Sequence, residues 1–161
     1  MIKYMQKANG KGGEEIMASV FDVAEYILYK LKTTTAMKLE KLCYYCQAWS
    51  LAWDDKPLFE EDFQAWANGP VCPELFDRHR GKFVLSEGDI KGSGYKFAPE
   101  ELETMDAVLD YYGNKEPHWI SELTHQERPW REARGFCAPG ERCTNVISKE
   151  SMQDYYGGLQ S

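Results

Sequence analysis

The sequence predicts a mainly α, compact single-domain fold with a long central helix and little or no short β-strand. Three observations carry this prediction. Apolar residues recur at helical spacing over residues 20–31, 39–53 and 102–112. Helix-start residues stand before or at the beginning of helical stretches, with Ser19 and Ser148 as caps and Pro73 and Pro99 at first positions. At 161 residues, with 43% hydrophobic and 14% aromatic content, the chain can build one real core and is not disordered.

The elements follow in order. Residues 1–17 read as a flexible extension, loosened by Gly10, Gly12 and Gly13, and residues 18–161 as the domain. The first helix spans about 20–31, with Ser19 and Asp22 in capping-box position. Thr33-Thr34-Thr35 breaks the pattern, and a longer helix runs to about Trp53. Leu39, Leu42, Cys43, Cys46 and Trp49 form its inner stripe. Tyr44, Tyr45 and Trp53 widen that stripe, which makes this helix central.

Residues 57–71 read as irregular or as containing a short strand. Within them, Trp66-Ala67-Asn68-Gly69-Pro70 forms a turn, because Asn68 and Gly69 tolerate positive φ and Pro70 fixes the next φ. A short helix covers 73–79. Residues 81–94 read as a surface loop or a loose hairpin. Residues 99–112 form a helix with acidic residues in its first turn. A short helix over 117–123 leads to Thr124-His125-Gln126-Glu127, which has capping-box form, and Pro129 starts the turn 130–134. Residues 135–143 are a loop. Ser148 caps a last helix through Tyr156.

Composition narrows the function. A net charge of −7 and a pI near 5.0 argue against a nucleic-acid-binding surface. No apolar run approaches the roughly 20 residues of a membrane span. The five cysteines form no disulfide framework and no secretory signal precedes them, which points to a reducing cytoplasm. Cys43-x-x-Cys46 has metal-type spacing, but both cysteines fall on a buried helical stripe, where cysteine acts as a small hydrophobe. No metal or other cofactor is expected. No phosphate loop, Gly-x-Ser-x-Gly elbow or His-Glu-x-x-His motif occurs. His125 with Cys72 is the one conceivable hydrolase dyad; otherwise His125 is a structural histidine near the Pro129 turn. What remains is aromatic residues, enriched at binding hot spots when they are not core.

Several fragments together resemble one family. They are Lys38-Leu39-Glu40-Lys41-Leu42-Cys43-Tyr44-Tyr45-Cys46-Gln47-Ala48-Trp49, Pro57-Leu58-Phe59, the segment 63–73, Leu123-Thr124-His125, Pro129-Trp130, Ala133-Arg134, and Met152 with Tyr155-Tyr156. In this order, over residues 19–156, they resemble the Panacea domain, the SocA-like antitoxin domain of phage-associated GepA-type proteins. Cys43, Cys46 and Cys72 depart from the family's usual apolar residues, and the loop 135–145 is unmatched. The resemblance implies an α-rich antitoxin, often from prophages, that neutralises a cognate protein toxin by direct contact and can present it to a protease complex. It supplies no catalytic residue. The alternative is a phage-associated interaction protein that disarms a host defence. The candidate contact residues are Tyr45, Trp49, Phe59, Trp66, Asn68, Gly69, Pro70, Val71, His125 and Trp130.

Overall fold

The structure, a computed structural model, describes residues 16–159. The expected flexible extension over 1–17 lies almost wholly outside the described residues. The helices are α1 (Val20–Leu31), α2 (Ala36–Trp53), α3 (Pro73–His79), α4 (Pro99–Tyr112), α5 (Pro117–Gln126), α6 (Arg128–Arg134) and α7 (Lys149–Gly158). Five short strands join them: β1 (Thr33–Thr35), β2 (Phe63–Trp66), β3 (Gly69–Val71), β4 (Val84–Ser86) and β5 (Val146–Ile147).

α2 is the axis of the fold and packs most extensively against α7 and α4. Every residue from Leu39 to Ala48 is buried, so this helix has no solvent face along its middle. Around it the aromatics interlock. Tyr45 stacks on Tyr112 with ring centroids 4.1 Å apart, and Tyr44 meets Phe63 edge-on at 5.4 Å. Cys43 and Cys46 are fully enclosed in the same core. At the start of α1 the capping box forms: the Ser19 amide donates to Asp22 at 2.8 Å, and the Asp22 amide donates to Ser19 Oγ at 3.2 Å.

The strands correct the expectation of little or no β structure. β1 and β4 pair antiparallel, with Thr34 opposite Leu85, and β3-β2-β5 form a second antiparallel sheet. The threonines that break the helical pattern are β-branched and suit an extended backbone. Their partner strand lies within residues 81–94, expected as a surface loop or a loose hairpin, and pairs with β1 rather than within that segment. The Trp66–Gly69 hairpin has the predicted site of positive φ at Gly69 (φ 121°), but Asn68 does not share it. Pro70 belongs to β3, opposite Ala65, rather than to the turn. It is tolerated because β3 is an edge strand.

The Thr124-His125-Gln126-Glu127 tetrad does not cap a helix from Thr124. Thr124 Oγ1 donates back to the Ser121 carbonyl at 2.7 Å from inside α5, and the extended residue that opens α6 is Glu127. Pro129 sits in the first turn of α6, where its missing N–H costs nothing.

Candidate functional site

The tip of the β2–β3 hairpin and the α5–α6 junction form one assembly. α5 ends at Gln126 and α6 starts two residues later, so His125 and Trp130 flank a tight corner. Their rings stack with centroids 4.3 Å apart. The Trp130 indole N–H donates to the Trp66 carbonyl at 2.9 Å. One strand position earlier, Arg134 Nη1 donates to the Ala65 carbonyl at 3.1 Å. Two side chains from α6 thus grip consecutive residues of β2. Burial pushes the His125 pKa down; Glu122 opposes that shift and Lys41 adds to it.

Beneath the hairpin lie two enclosed polar residues of α2. Glu40 Oε1 accepts from the Cys72 amide at 2.8 Å, and Glu40 Oε2 lies 2.8 Å from His79 Nε2. This bond ties β3, the start of α3 and its last turn to the central helix. Lys41 runs the other way, under Gly69. A Cβ at Gly69 would stand 2.6 Å from Lys41 Cε and 3.0 Å from Thr124 Oγ1. Glycine is therefore required there by the approach of Lys41 as well as by φ. Lys41 is fully buried, and its ammonium has no hydrogen-bond partner among the described residues; nor has His125 Nε2. Burial pulls the Lys41 pKa down to about 8, against the opposing attraction of Glu40.

Outside this base is a groove of about 530 Å³. Met37 and Val71 form its floor with Cys143, and Trp66 and Phe76 form an aromatic wall, ring centroids 5.0 Å apart. The Trp66 indole is fixed by donating to Gln64 Oε1 at 2.8 Å. Arg80 and Arg142, both exposed, stand on the rim, and no carboxylate lines the groove. Arg80 is paired with Asp77 at 2.6 Å, an exposed ion pair that a ligand can replace at little cost.

Of the residues singled out from sequence, Trp66, Asn68, Gly69, Pro70, Val71, His125 and Trp130 come together here. Asn68 is exposed, Trp66, His125 and Trp130 are half-buried, and Gly69, Pro70 and Val71 are buried in the strand. Three others lie elsewhere. Tyr45 is wholly enclosed and donates to Glu127 Oε1 at 2.8 Å. Phe59 is wholly enclosed too, its backbone held by the Gln47 amide through Phe59 O at 2.7 Å. Trp49 is half-buried against Trp53 and opens on a second cleft of about 410 Å³ that includes Tyr111 and Leu159. Sequence reasoning missed Phe76, Arg80 and Arg142. Phe76 lies on α3 and Arg80 is the non-helical residue that ends it, so helical periodicity gave no signal for the pair.

The geometry offers little for the hydrolase reading. The Cys72 thiol lies 3.5 Å from Glu74, and burial first, then the neighbouring carboxyl groups, push it well up from its ordinary value. A nucleophilic cysteine needs the opposite environment. Among the described residues, no group of three or more His, Cys, Asp or Glu side chains could hold a metal ion, and no helix is long and apolar enough to cross a membrane.

The fold and groove define a small helical domain with an aromatic-walled, arginine-rimmed recess. A family model described as antitoxin SocA-like, Panacea domain, matches residues 39–131. That is more than half of the chain, which therefore belongs to the SocA-like antitoxin family carrying the Panacea domain. The match runs from α2 into α6, so it includes Glu40, Lys41, the hairpin, His125 and Trp130, whereas Arg134, Arg142 and Cys143 lie beyond it. Searches of curated proteins and of solved structures returned no match.

Proposed function

We propose that this protein is an antitoxin that neutralises a cognate protein toxin in the cytoplasm by direct binding, and that the Trp66 groove is its contact surface. The observation that carries the site is the groove's composition: an apolar floor and aromatic wall under two arginines with no lining carboxylate. In a chain of net charge −7, that is a local cationic rim. It suits a toxin segment that inserts an apolar side chain beside Trp66 and sets carboxylates against Arg80 and Arg142. Membership of an antitoxin family supports the toxin as partner.

The test is co-expression with the protein encoded beside this gene. Growth arrest by that neighbour alone, relieved by this protein, is the expected result. Trp66→Ala should weaken the purified complex by at least about 30-fold, the range of a central aromatic anchor. Arg80→Glu with Arg142→Glu should weaken it and remove its salt dependence. If both variants fold and rescue like the parent, the groove is not the contact surface. A toxin half-life that shortens only when the antitoxin is present would add delivery to a protease; an unchanged half-life would leave masking alone.

A further inference from the structure

We propose that the cleft between the ends of α2, α4 and α7 binds a small organic cation, an ammonium head on an apolar body. The cleft holds about 410 Å³, the size of a small-ligand site, and shares no lining residue with the Trp66 groove. Its occupancy is therefore independent of where a toxin binds. Four aromatic residues form one continuous wall. The ring centroids of Trp49 and Trp53 are 4.8 Å apart, and those of Tyr111 and Tyr112 meet edge-on at 4.8 Å. The Trp49 indole N–H joins the two pairs by donating to Tyr112 Oη at 3.0 Å. Trp53 is 44% exposed and Tyr111 57%, so this wall includes aromatic surface that the fold itself does not bury.

A carboxyl group completes the cleft. Glu127 precedes the first turn of α6, yet its side chain does not cap that helix. It is buried instead and lines the cleft. The Tyr45 and Tyr156 hydroxyls both donate to the same oxygen, Oε1, at 2.8 Å and 2.6 Å. No hydrogen bond or ion pair among the described residues engages Oε2. Nor is Oε2 one of the enclosed unpartnered atoms, so it opens on the cleft. The rest of the lining is aliphatic, with no basic side chain. Lys115 holds its ammonium 5.2 Å over the Tyr111 ring without lining the cleft, so this cation of the chain does not fill it. Burial raises the Glu127 pKa against the two tyrosine hydroxyls, and a bound cation returns to the carboxylate what burial takes away. Aromatic faces attract a cation too, most strongly where water is excluded. One carboxylate sets the ligand charge at one, and apolar walls suit an alkyl body rather than a hydrated metal ion. So deeply set a carboxylate suits a free molecule better than the tip of a partner's side chain.

The test titrates the full, isotope-labelled chain with hexyltrimethylammonium and, separately, with uncharged hexanol. Binding is followed by the NMR shifts of the Trp49 and Trp53 indole N–H groups. The cation should bind at least about tenfold more tightly than the alcohol. Glu127→Gln keeps an acceptor for the two tyrosines; it should bring the cation down to the affinity of hexanol and leave hexanol unchanged. Trp53→Ala, at an exposed position, should weaken the cation by about fivefold while the unfolding midpoint stays put. Absence of saturable shifts, or equal affinity for cation and alcohol, would overturn the proposal. So would a Glu127→Gln variant that folds and binds the cation like the parent, or shifts confined to the Trp66 groove. A blocked lysine, the model of a partner's side chain, that binds more tightly than hexyltrimethylammonium would overturn the assignment to a free ligand.

Discussion

Glu40 and Lys41 are neighbours on α2, both without solvent exposure, and the two sides of the helix receive them differently. On the α3 side, both Glu40 carboxyl oxygens are engaged, one by the Cys72 amide and one by His79. On the hairpin side, the Lys41 ammonium ends beneath Gly69 without a hydrogen-bond partner, and the half-buried His125 leaves Nε2 unpartnered as well. An enclosed polar group is cheap when its bonds are made and costly when they are not. The α3 side is therefore the fastened edge of the groove, and the hairpin side carries a desolvation cost that the attraction of Glu40 offsets only in part. Segments that move or bind are drawn from the less stable part of a fold. The hairpin tip, with exposed Asn68 and half-buried Trp66, is such a segment.

The largest expected effect comes from unfastening the α3 side. Glu40→Ala strands the Cys72 amide and the His79 ring in the interior and should cost about 3–5 kcal/mol, read as a fall in the urea midpoint. Glu40→Gln keeps an acceptor for the amide and should lose less. An Ala variant as stable as the parent would show that the fastening contributes nothing.

Next comes Gly69→Ala. Its Cβ must enter the space of Lys41 Cε and Thr124 Oγ1, and its backbone must hold φ at 121°. Backbone strain and overpacking together should cost about 2–4 kcal/mol in the same measurement. Pairing it with Lys41→Ala, which vacates the space, should recover the packing share and leave the backbone share. A double variant no better than Gly69→Ala would place the whole cost in φ.

Much of this was legible in the sequence. α3 and α4 have the bounds expected from their prolines and apolar spacing, and the capping box at Ser19 is present. Trp66, Gly69, His125 and Trp130 stand out in the sequence as turn and aromatic-histidine positions, and the fold brings them together. What escaped notice is short-range in pattern or long-range in pairing. Strands of two to four residues show no usable alternation, and β1 finds β4 some fifty residues away. A charged Glu-Lys pair in an amphipathic helix reads as a polar face. Only the hairpin on one side and α3 on the other bury it. Tyr45 and Phe59 look like binding aromatics in sequence for the converse reason: the type of residue is the same in a core and in a hot spot.

The smallest effect is also the one that isolates the hairpin side. Lys41 deprotonates near pH 8 in the folded chain, against 10.5 for an ordinary lysine. Between those values the unfolded chain holds more protons, so this residue makes stability rise with pH across that window; below it, the full penalty stands. Lys41→Met removes the charge and nearly keeps the volume. The lost attraction to Glu40 offsets part of the gain, and a net stabilisation of about 1–2 kcal/mol at pH 7 is expected. The difference between variant and parent should shrink as pH rises through 8 towards 10.5, with the other titrating groups cancelling in the subtraction. A difference independent of pH would mean that Lys41 is not the charged, unpartnered group beneath the hairpin. A variant less stable than the parent at pH 7 would mean that the ammonium supports the fold there, and the contrast with Glu40 would disappear.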